Sequence, residues 1–498
     1  VKRVSLIMLV ISITLLVLAG CTGTNKNSNT GSGNSPAPSG NVDATKEGSD
    51  KGSDTGSDKP AEKPQTLTMV YSQGEFSWPA YEKMAKAFKE KTGHTVKLQY
   101  VPAAEYDKYL DAQFIAGSEA DIIMGGPGDK SAWFKNGWIT NLLPHMEEVS
   151  RFTNAPWKES FIDGVLENAI DKLPPAKLYG IPIQLTTVNL YYNKDIFAKI
   201  GVTEPPKTIT ELLAVAKKAK DAGYIGFSIQ NSMDWNIGWL ATDLWGYLWK
   251  PKLDQLDVII KDGNVNTDEW ALAVKKGMIT KDSPELKEYA RVIKDLTPYF
   301  NEGFNTASWE FEGLFNEGKS AMTLNGSWYP NQHLQGNLKV NYGIAPIPYL
   351  DKSYSELGED QRFNYMIGGE AYVAITSKAE KDGKLQAALD WLRFWTDPNG
   401  GAKIMADELF LIPVVKDVQA PEQVQPIIDT FGSQKQISYT AFKFEPEQAD
   451  MWYKSQQQYL DGKLTADQFI GGFIKTLDKY ADAAIKLHPE WKVEEHLK

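Results

Sequence analysis

The 498 residues carry 53 Lys and Arg against 64 Asp and Glu, a formal charge of −11 with no basic block. That balance argues against a nucleic-acid or anionic-lipid surface and in favour of a neutral guest. A single cysteine excludes an intrachain disulfide, so packing must hold the fold, and 15 Trp with 22 Tyr make aromatics the compositional oddity.

In chain order, Lys2 and Arg3 precede an almost uniformly apolar run from Val4 to Leu18 and then small residues, the three-part pattern of a secretory signal over residues 1–20. The run is too short to span a bilayer comfortably. The box Leu18-Ala19-Gly20-Cys21 resembles the bacterial lipobox. That resemblance implies cleavage before Cys21, a diacylglyceryl group on its sulfur, and attachment to the outer face of the cell membrane, where two or more acyl chains make a stable anchor. The alternative is an ordinary signal peptide with a chance cysteine. From Thr22 to Gln65 the composition is Asn, Ser, Gly, Thr, Asp, Lys, Glu, Ala and Pro with little else, which cannot offset the entropy of folding. Residues 21–65 are therefore expected to be a flexible, lipid-anchored linker with a reach of roughly 35 to 40 Å.

The remainder, from Thr66 to Lys498, is long enough for two domains. Leu67 to Tyr71 reads as a strand. A helix follows from Pro79 with Tyr81, Met84, Ala85 and Phe88 on one face and a stop at Gly93. Val96 to Tyr100 is a second strand, Tyr106 to Ala116 a helix ended by Gly117, and Asp121 to Met124 a third strand, giving βαβαβ and a parallel sheet. A second region of this kind opens with the β-prone stretch Ile181 to Tyr192. It continues through the capping box Thr208-Ile209-Thr210-Glu211, a helix stopped at Gly223, and a strand from Tyr224 to Ile229. An aromatic-rich helix around Trp309 to Phe315, strands at Ala321 to Leu324, Tyr342 to Ile347 and Ala371 to Thr376, and a helix over Leu385 to Trp395 come next. From Pro446 the chain reads as helical, with Thr465 and Gln468 as another capping box.

Several blocks in this order carry a resemblance. They are Ala120-Asp121-Ile122-Ile123-Met124 with Gly137-Trp138-Ile139; Leu178-Tyr179-Gly180-Ile181-Pro182; Leu190-Tyr191-Tyr192-Asn193-Lys194-Asp195-Ile196-Phe197; Pro205-Pro206-Lys207-Thr208; and Phe315 to Trp328 followed by Tyr342-Gly343-Ile344-Ala345-Pro346-Ile347-Pro348. Together they resemble the family 1 extracellular solute-binding proteins of ATP-driven importers, the group that includes the maltose-binding protein. Thr208-Ile209, where the family usually has Thr-Trp, and an insertion-like segment from Leu253 to Lys281 depart from the pattern. The resemblance implies an α/β, two-lobed periplasmic-binding-protein-like (type II) fold with a hinge and an interlobe cleft. By analogy, lobe 1 takes residues 66–183 plus 369–418 and lobe 2 takes 184–368 plus 419–498. It also implies a carbohydrate ligand, ABC permease subunits as partners, a monomer, and no enzymatic activity, cofactor, metal or nucleic acid.

A pyranose offers C–H patches on its faces and hydroxyls at its edge, so a sugar site needs flat aromatics ringed by planar polar groups. Trp328, after the Leu324-Asn325-Gly326 turn, matches a family position that stacks on sugar, and Tyr329 is adjacent. Asp234 and Trp235 follow the strand Tyr224 to Ile229, at the strand end where ligands of open α/β sheets gather, Trp235 alternatively belonging to the core and Asp234 alternatively capping a helix. Glu75 and Trp78 come from the loop after the first strand, Trp78 alternatively serving as a hydrophobic staple. Gly126 and Asp129 follow the third strand, Glu370 follows the predicted second crossing, and Trp309 precedes the Phe315 block. Trp239, at helical spacing from Asp243, reads as packing, as do Trp138, Trp391 and Trp395.

Gly313-Leu314-Phe315-Asn316-Glu317-Gly318-Lys319-Ser320 satisfies the phosphate-loop pattern, but a helix precedes it and a strand follows, the reverse of what phosphate binding requires. No HExxH or GxSxG motif is present. The rival reading is a secreted glycoside hydrolase using two carboxylates, which nothing in the sequence marks positively; a binder of a non-sugar solute is a third.

Overall fold

The computed structural model describes residues 63–487 apart from 126–132, 135, 172–174, 232–235, 260, 262, 307–309, 334–335, 337–338, 363–366 and 430–445. Cys21 and the linker lie outside the described residues.

The first sheet forms where expected. Strand β1 (Thr66–Tyr71) is flanked by the parallel strands β2 (Thr95–Tyr100) and β3 (Ile122–Met124). The crossovers are helices α1 (Trp78–Thr92) and α2 (Ala103–Ala116). Helix α1 buries Ala80, Tyr81, Met84 and Phe88, and ends at Gly93, whose φ of 80° lets its N–H turn back to Lys89 O. Buried Asp121 ties the sheet together: it accepts from Thr68 N at 2.7 Å and pairs with Lys384 Nζ at 3.2 Å. Strand β4 (Gln184–Asn193) leaves this region and enters the next.

Helix α3 (Ile209–Asp221) opens on Thr208, whose hydroxyl accepts from Glu211 N. Residues 224–229 do not become a regular strand. They make isolated parallel bridges at Ile225, Phe227 and Ser228, because side chains intrude on the ladder: Thr323 Oγ1 donates to Ser228 O at 2.9 Å, and Ser320 Oγ accepts from Ser228 N. Next come α4 (Asn236–Trp249), α5 (Thr267–Lys275), α6 (Pro284–Leu296) and α7 (Glu310–Asn316), then β5 (Met322–Gly326), β6 (Tyr342–Pro346) and β7 (Ile367–Glu370). The second sheet, β5-β4-β6, is antiparallel throughout, contrary to the parallel arrangement expected. Strand β8 (Val373–Ile375) then returns to pair antiparallel with β3. The chain closes with α8 (Leu385–Trp395), α9 (Gly401–Leu409), α10 (Gln425–Asp429), α11 (Pro446–Leu460) and α12 (Ala466–Leu487). The Thr465–Gln468 capping box is made in both directions, at 3.2 and 2.9 Å.

Two large apolar cores result. One gathers side chains from Leu67 to Leu185 and from Val373 to Ile427; the other takes Leu190 to Leu350 and Trp452 to Leu477. Val424 and Ile427 are buried in the first core, so the chain stays with it beyond Val418. The insertion-like segment is built into the second core. Asn266 and Glu269 form a capping box at the start of α5, Trp270 packs edge-on against Trp245 and Trp249, and Lys275 bridges to Asp478 and Asp482 of α12.

Strand β4 belongs to both halves. Its first residues, Gln184 to Thr187, pair with β7, whereas Val188 to Asn193 pair with β5 and β6. Leu185 lies in the first core and Leu190 in the second, so the change of partner between Thr187 and Val188 marks the seam between them.

Candidate ligand-binding site

Trp328 stands at that seam. Gly326 at the end of β5 is opposite Val188, and Ser327 N donates to Thr187 O at 2.9 Å, which fixes the turn leading to Trp328. The indole is 37% exposed, one of the few large apolar side chains left open among the described residues. It folds back over the Gly326 backbone so closely that a Cβ there would sit 2.2 Å from the ring. Gly326→Ala is accordingly expected to push the indole off its seat while leaving the buried β5 ladder in place. Ligand affinity should fall several-fold in a fluorescence titration with little change in melting temperature.

The second wall is Trp239, half-buried on α4, with its ring centre 5.7 Å from that of Trp328 and a 66° angle between the planes. Sequence reasoning placed Trp239 in packing because its helical spacing looks apolar. It does pack on the second core, yet part of its ring stays open beside Trp328. Two indoles at an angle form a corner, suited to a flat apolar face and an edge of one guest.

Tyr329 is a correction. It is fully buried, its hydroxyl donates to Asn316 Oδ1, and its ring packs against Tyr191, Phe315 and Tyr342. One residue on from the exposed Trp328, it is enclosed by these partners, and its role is packing.

Asp234 and Trp235 lie outside the described residues, but the residues on either side of them are hydrogen-bonded into the core. Asn231 Nδ2 donates to Asn305 Oδ1, Asn231 Oδ1 accepts from Gln456 Nε2, and Gln456 accepts from the Tyr289 hydroxyl, at 2.6 to 2.7 Å. On the far side, Asn236 Oδ1 accepts from Gln230 N at 2.6 Å. A buried network of amides and hydroxyls of this kind fixes the positions of Asn231 and Asn236.

In the first half, the loop after β1 is also pinned. Gln73 Oε1 accepts from the Tyr81 hydroxyl and Gly74 O from Ser77 Oγ, both at 2.7 Å. Trp78 is half-buried, its ring 6.2 Å from Tyr71, which stacks on Tyr81 at 4.2 Å. It thus rests on the core while part of its ring stays open. Glu75 and Glu370 are placed by their backbones, in a short 3-10 turn and in β7; their side chains lie outside the described set. Gly126, Asp129 and Trp309 also lie outside the described residues. Trp391 and Trp395 are buried as expected, and Trp138 stacks on Phe114 at 5.1 Å.

A polar cavity of about 710 Å³, lined by Asn193, Asp195, Asn316, Glu317, Lys339 and Asn341, opens at the other end of β4 and includes neither Trp328 nor Trp239. The phosphate-loop look-alike adjoins it, with α7 before the turn and β5 after it; Lys319 is exposed and paired to Glu317 at 2.6 Å. That order leaves no helix N-terminus facing a phosphate.

The comparisons agree with this architecture. The chain is 28% identical over 284 residues to a Brucella abortus (strain 2308) binding protein, a match covering 54% of this chain and 60% of that one. It is 26% identical over 297 residues to the galactooligosaccharide-binding protein of Bacillus subtilis (strain 168), covering 59% and 62%. The chain thus spans about three fifths of the length of these relatives. Among solved structures, a chitin oligosaccharide binding protein superposes with a TM-score of 0.63 at 20% identity, over 85% of this chain and all of the other, and so shares the two-lobed fold. The family model for bacterial extracellular solute-binding proteins matches residues 83–430, and the chain belongs to that family, whose members bind solutes outside the cytoplasm.

Proposed function

We propose that this protein captures a carbohydrate, an oligosaccharide in particular, between its lobes and delivers it to the permease of an ABC importer, without altering it chemically. The observation that carries the reading is the Trp328–Trp239 corner, left open at the seam where β4 passes from one core to the other. Relatives and structural neighbours named for oligosaccharides support the ligand class. We take lobe 1 as residues 66–183 and 369–429, the second limit extended because Val424 and Ile427 pack in its core, and lobe 2 as residues 184–368 and 446–498. Trp328 and Trp239 supply stacking. Asp234, Trp235, Glu75, Trp78, Gly126, Asp129, Trp309 and Glu370 are the further contacts proposed around them. Ligand touches both lobes only in the closed state and so shifts the population toward it. The mature protein is a monomer held at the outer face of the membrane through lipidated Cys21.

A thermal-shift panel of galacto-oligosaccharides, chitin oligosaccharides and maltodextrins tests the reading. A ligand at a hundred times its Kd should add about 2.7 kcal/mol of stability and raise the melting temperature by several degrees. Recovery of that sugar intact, with no new reducing ends, supports a receptor. New reducing ends would establish a hydrolase, and no shift from any sugar would remove carbohydrate as the ligand class.

A further inference from the structure

Gly326 closes β5 and leads into the turn to Trp328, and its lack of a side chain is what lets the indole lie over its backbone. That freedom has a drawback, because glycine restrains its own peptide less than any other residue. Both polar groups of this glycine are held by side chains. Its N–H donates to Asn325 Oδ1 at 2.8 Å, and its carbonyl accepts from the Tyr191 hydroxyl at 2.9 Å. Asn325 is fixed in turn, its Nδ2 donating to Glu312 Oε1 of α7 at 2.9 Å.

Tyr191 is a stiff post for such a bond. Leu190 before it packs in the second core, whereas Tyr191 joins a small separate cluster with Phe315 and Tyr329. The side chain is fully buried, edge-on to Tyr329 at 4.8 Å and tilted against Tyr342 at 5.7 Å. Across the ladder its partner is Thr323, yet the hydroxyl passes that residue and reaches the end of β5. Burial pushes the phenol well above its usual range, so the oxygen keeps its proton and stays a donor. Ring packing alone would be served by phenylalanine, as Phe315 serves it in the same cluster. The hydroxyl is the part that meets the backbone beneath Trp328.

We propose that Tyr191 is a positioning residue for ligand capture: its hydroxyl, bound to the Gly326 carbonyl, fixes the seat of the Trp328 indole and with it the angle between Trp328 and Trp239. The ligand role rests on reading the Trp239–Trp328 corner as the ligand wall.

Tyr191→Phe removes one oxygen and keeps the ring. Loss of a buried hydrogen bond should lower the melting temperature by about 2 to 4 °C, as it would for any structural role. The decisive measurement is fluorine NMR of protein labelled with fluorotryptophan, without ligand. The Trp328 resonance, identified by its absence from Trp328→Ala, should shift or broaden in Tyr191→Phe. Phe315→Leu, which loosens the same cluster but keeps both side-chain bonds to Gly326, should leave that resonance in place. An unmoved Trp328 resonance in Tyr191→Phe would overturn the proposal, as would an equal displacement in Phe315→Leu. Where the panel yields a binding sugar, Tyr191→Phe should weaken it about threefold or more in the wild-type background and by less than about 1.5-fold in the Trp328→Ala background. Equal weakening in both backgrounds, or none in either, would also overturn it. Failure of every sugar to bind wild type would instead remove the carbohydrate reading, on which the resonance measurement does not depend.

Discussion

Trp328→Ala is expected to weaken carbohydrate binding at least tenfold while the melting temperature of the free protein stays within about 2 °C of wild type. The asymmetry follows from placement. The indole is 37% exposed and leans on a backbone glycine rather than into a core, so truncation removes little buried contact. A sugar ring would lose a stacking face of the kind that contributes on the order of 1 to 3 kcal/mol when a flat ring is desolvated against it. Trp239→Ala should also lower affinity but destabilise the protein as well, since part of that ring packs on the second core. Isothermal titration paired with scanning calorimetry separates the two. Unchanged affinity in Trp328→Ala would take that residue out of the site.

Trp245→Ala is expected to produce the largest loss of stability. Trp245 is buried at the centre of a ring cluster, with Trp270, Tyr289, Trp452 and Phe473 around it at centroid distances of 5.2, 5.6, 5.1 and 6.2 Å. These partners come from α5, α6, α11 and α12, so one side chain joins the insertion-like segment and the C-terminal helices to α4. Emptying such a site costs about 3 to 5 kcal/mol, because edge-to-face partners on four sides cannot all collapse inward. A fall in melting temperature of roughly 10 °C should follow by calorimetry. A fall of under about 3 °C would mean that the cluster repacks around the hole.

These outcomes also mark what the sequence could and could not carry. Where periodicity and a stop residue agree, as in α1 with its apolar stripe and Gly93, or in Leu385–Trp395, the helix is legible because local and tertiary preferences coincide. Strand β7 is not legible. Ile367-Gly368-Gly369-Glu370 has no alternation, and it is a strand because Gln184–Thr187 supplies its partner from far away in the chain. The antiparallel second sheet is hidden for a similar reason, since strand direction is set by where β4 enters rather than by any local pattern. Among the proposed contacts, Trp328 is suggested by its motif and stands exposed in the structure. Tyr329 was misread because a residue next to an exposed indole in a turn can itself be buried, whereas Trp239, read as packing, does pack on the second core, and only its ring contact with Trp328 suggests a further role.

The pairing of β3 with β8 has a consequence for how the chain is made. Ile122 waits for Ile375, and the first core waits for Ile427, some three hundred residues later. During synthesis the amino-terminal half therefore stays incomplete until most of the polypeptide has emerged. Long-range closure of this kind is slow. The leading segment is therefore the last to reach its final packing, although it is the first to be made.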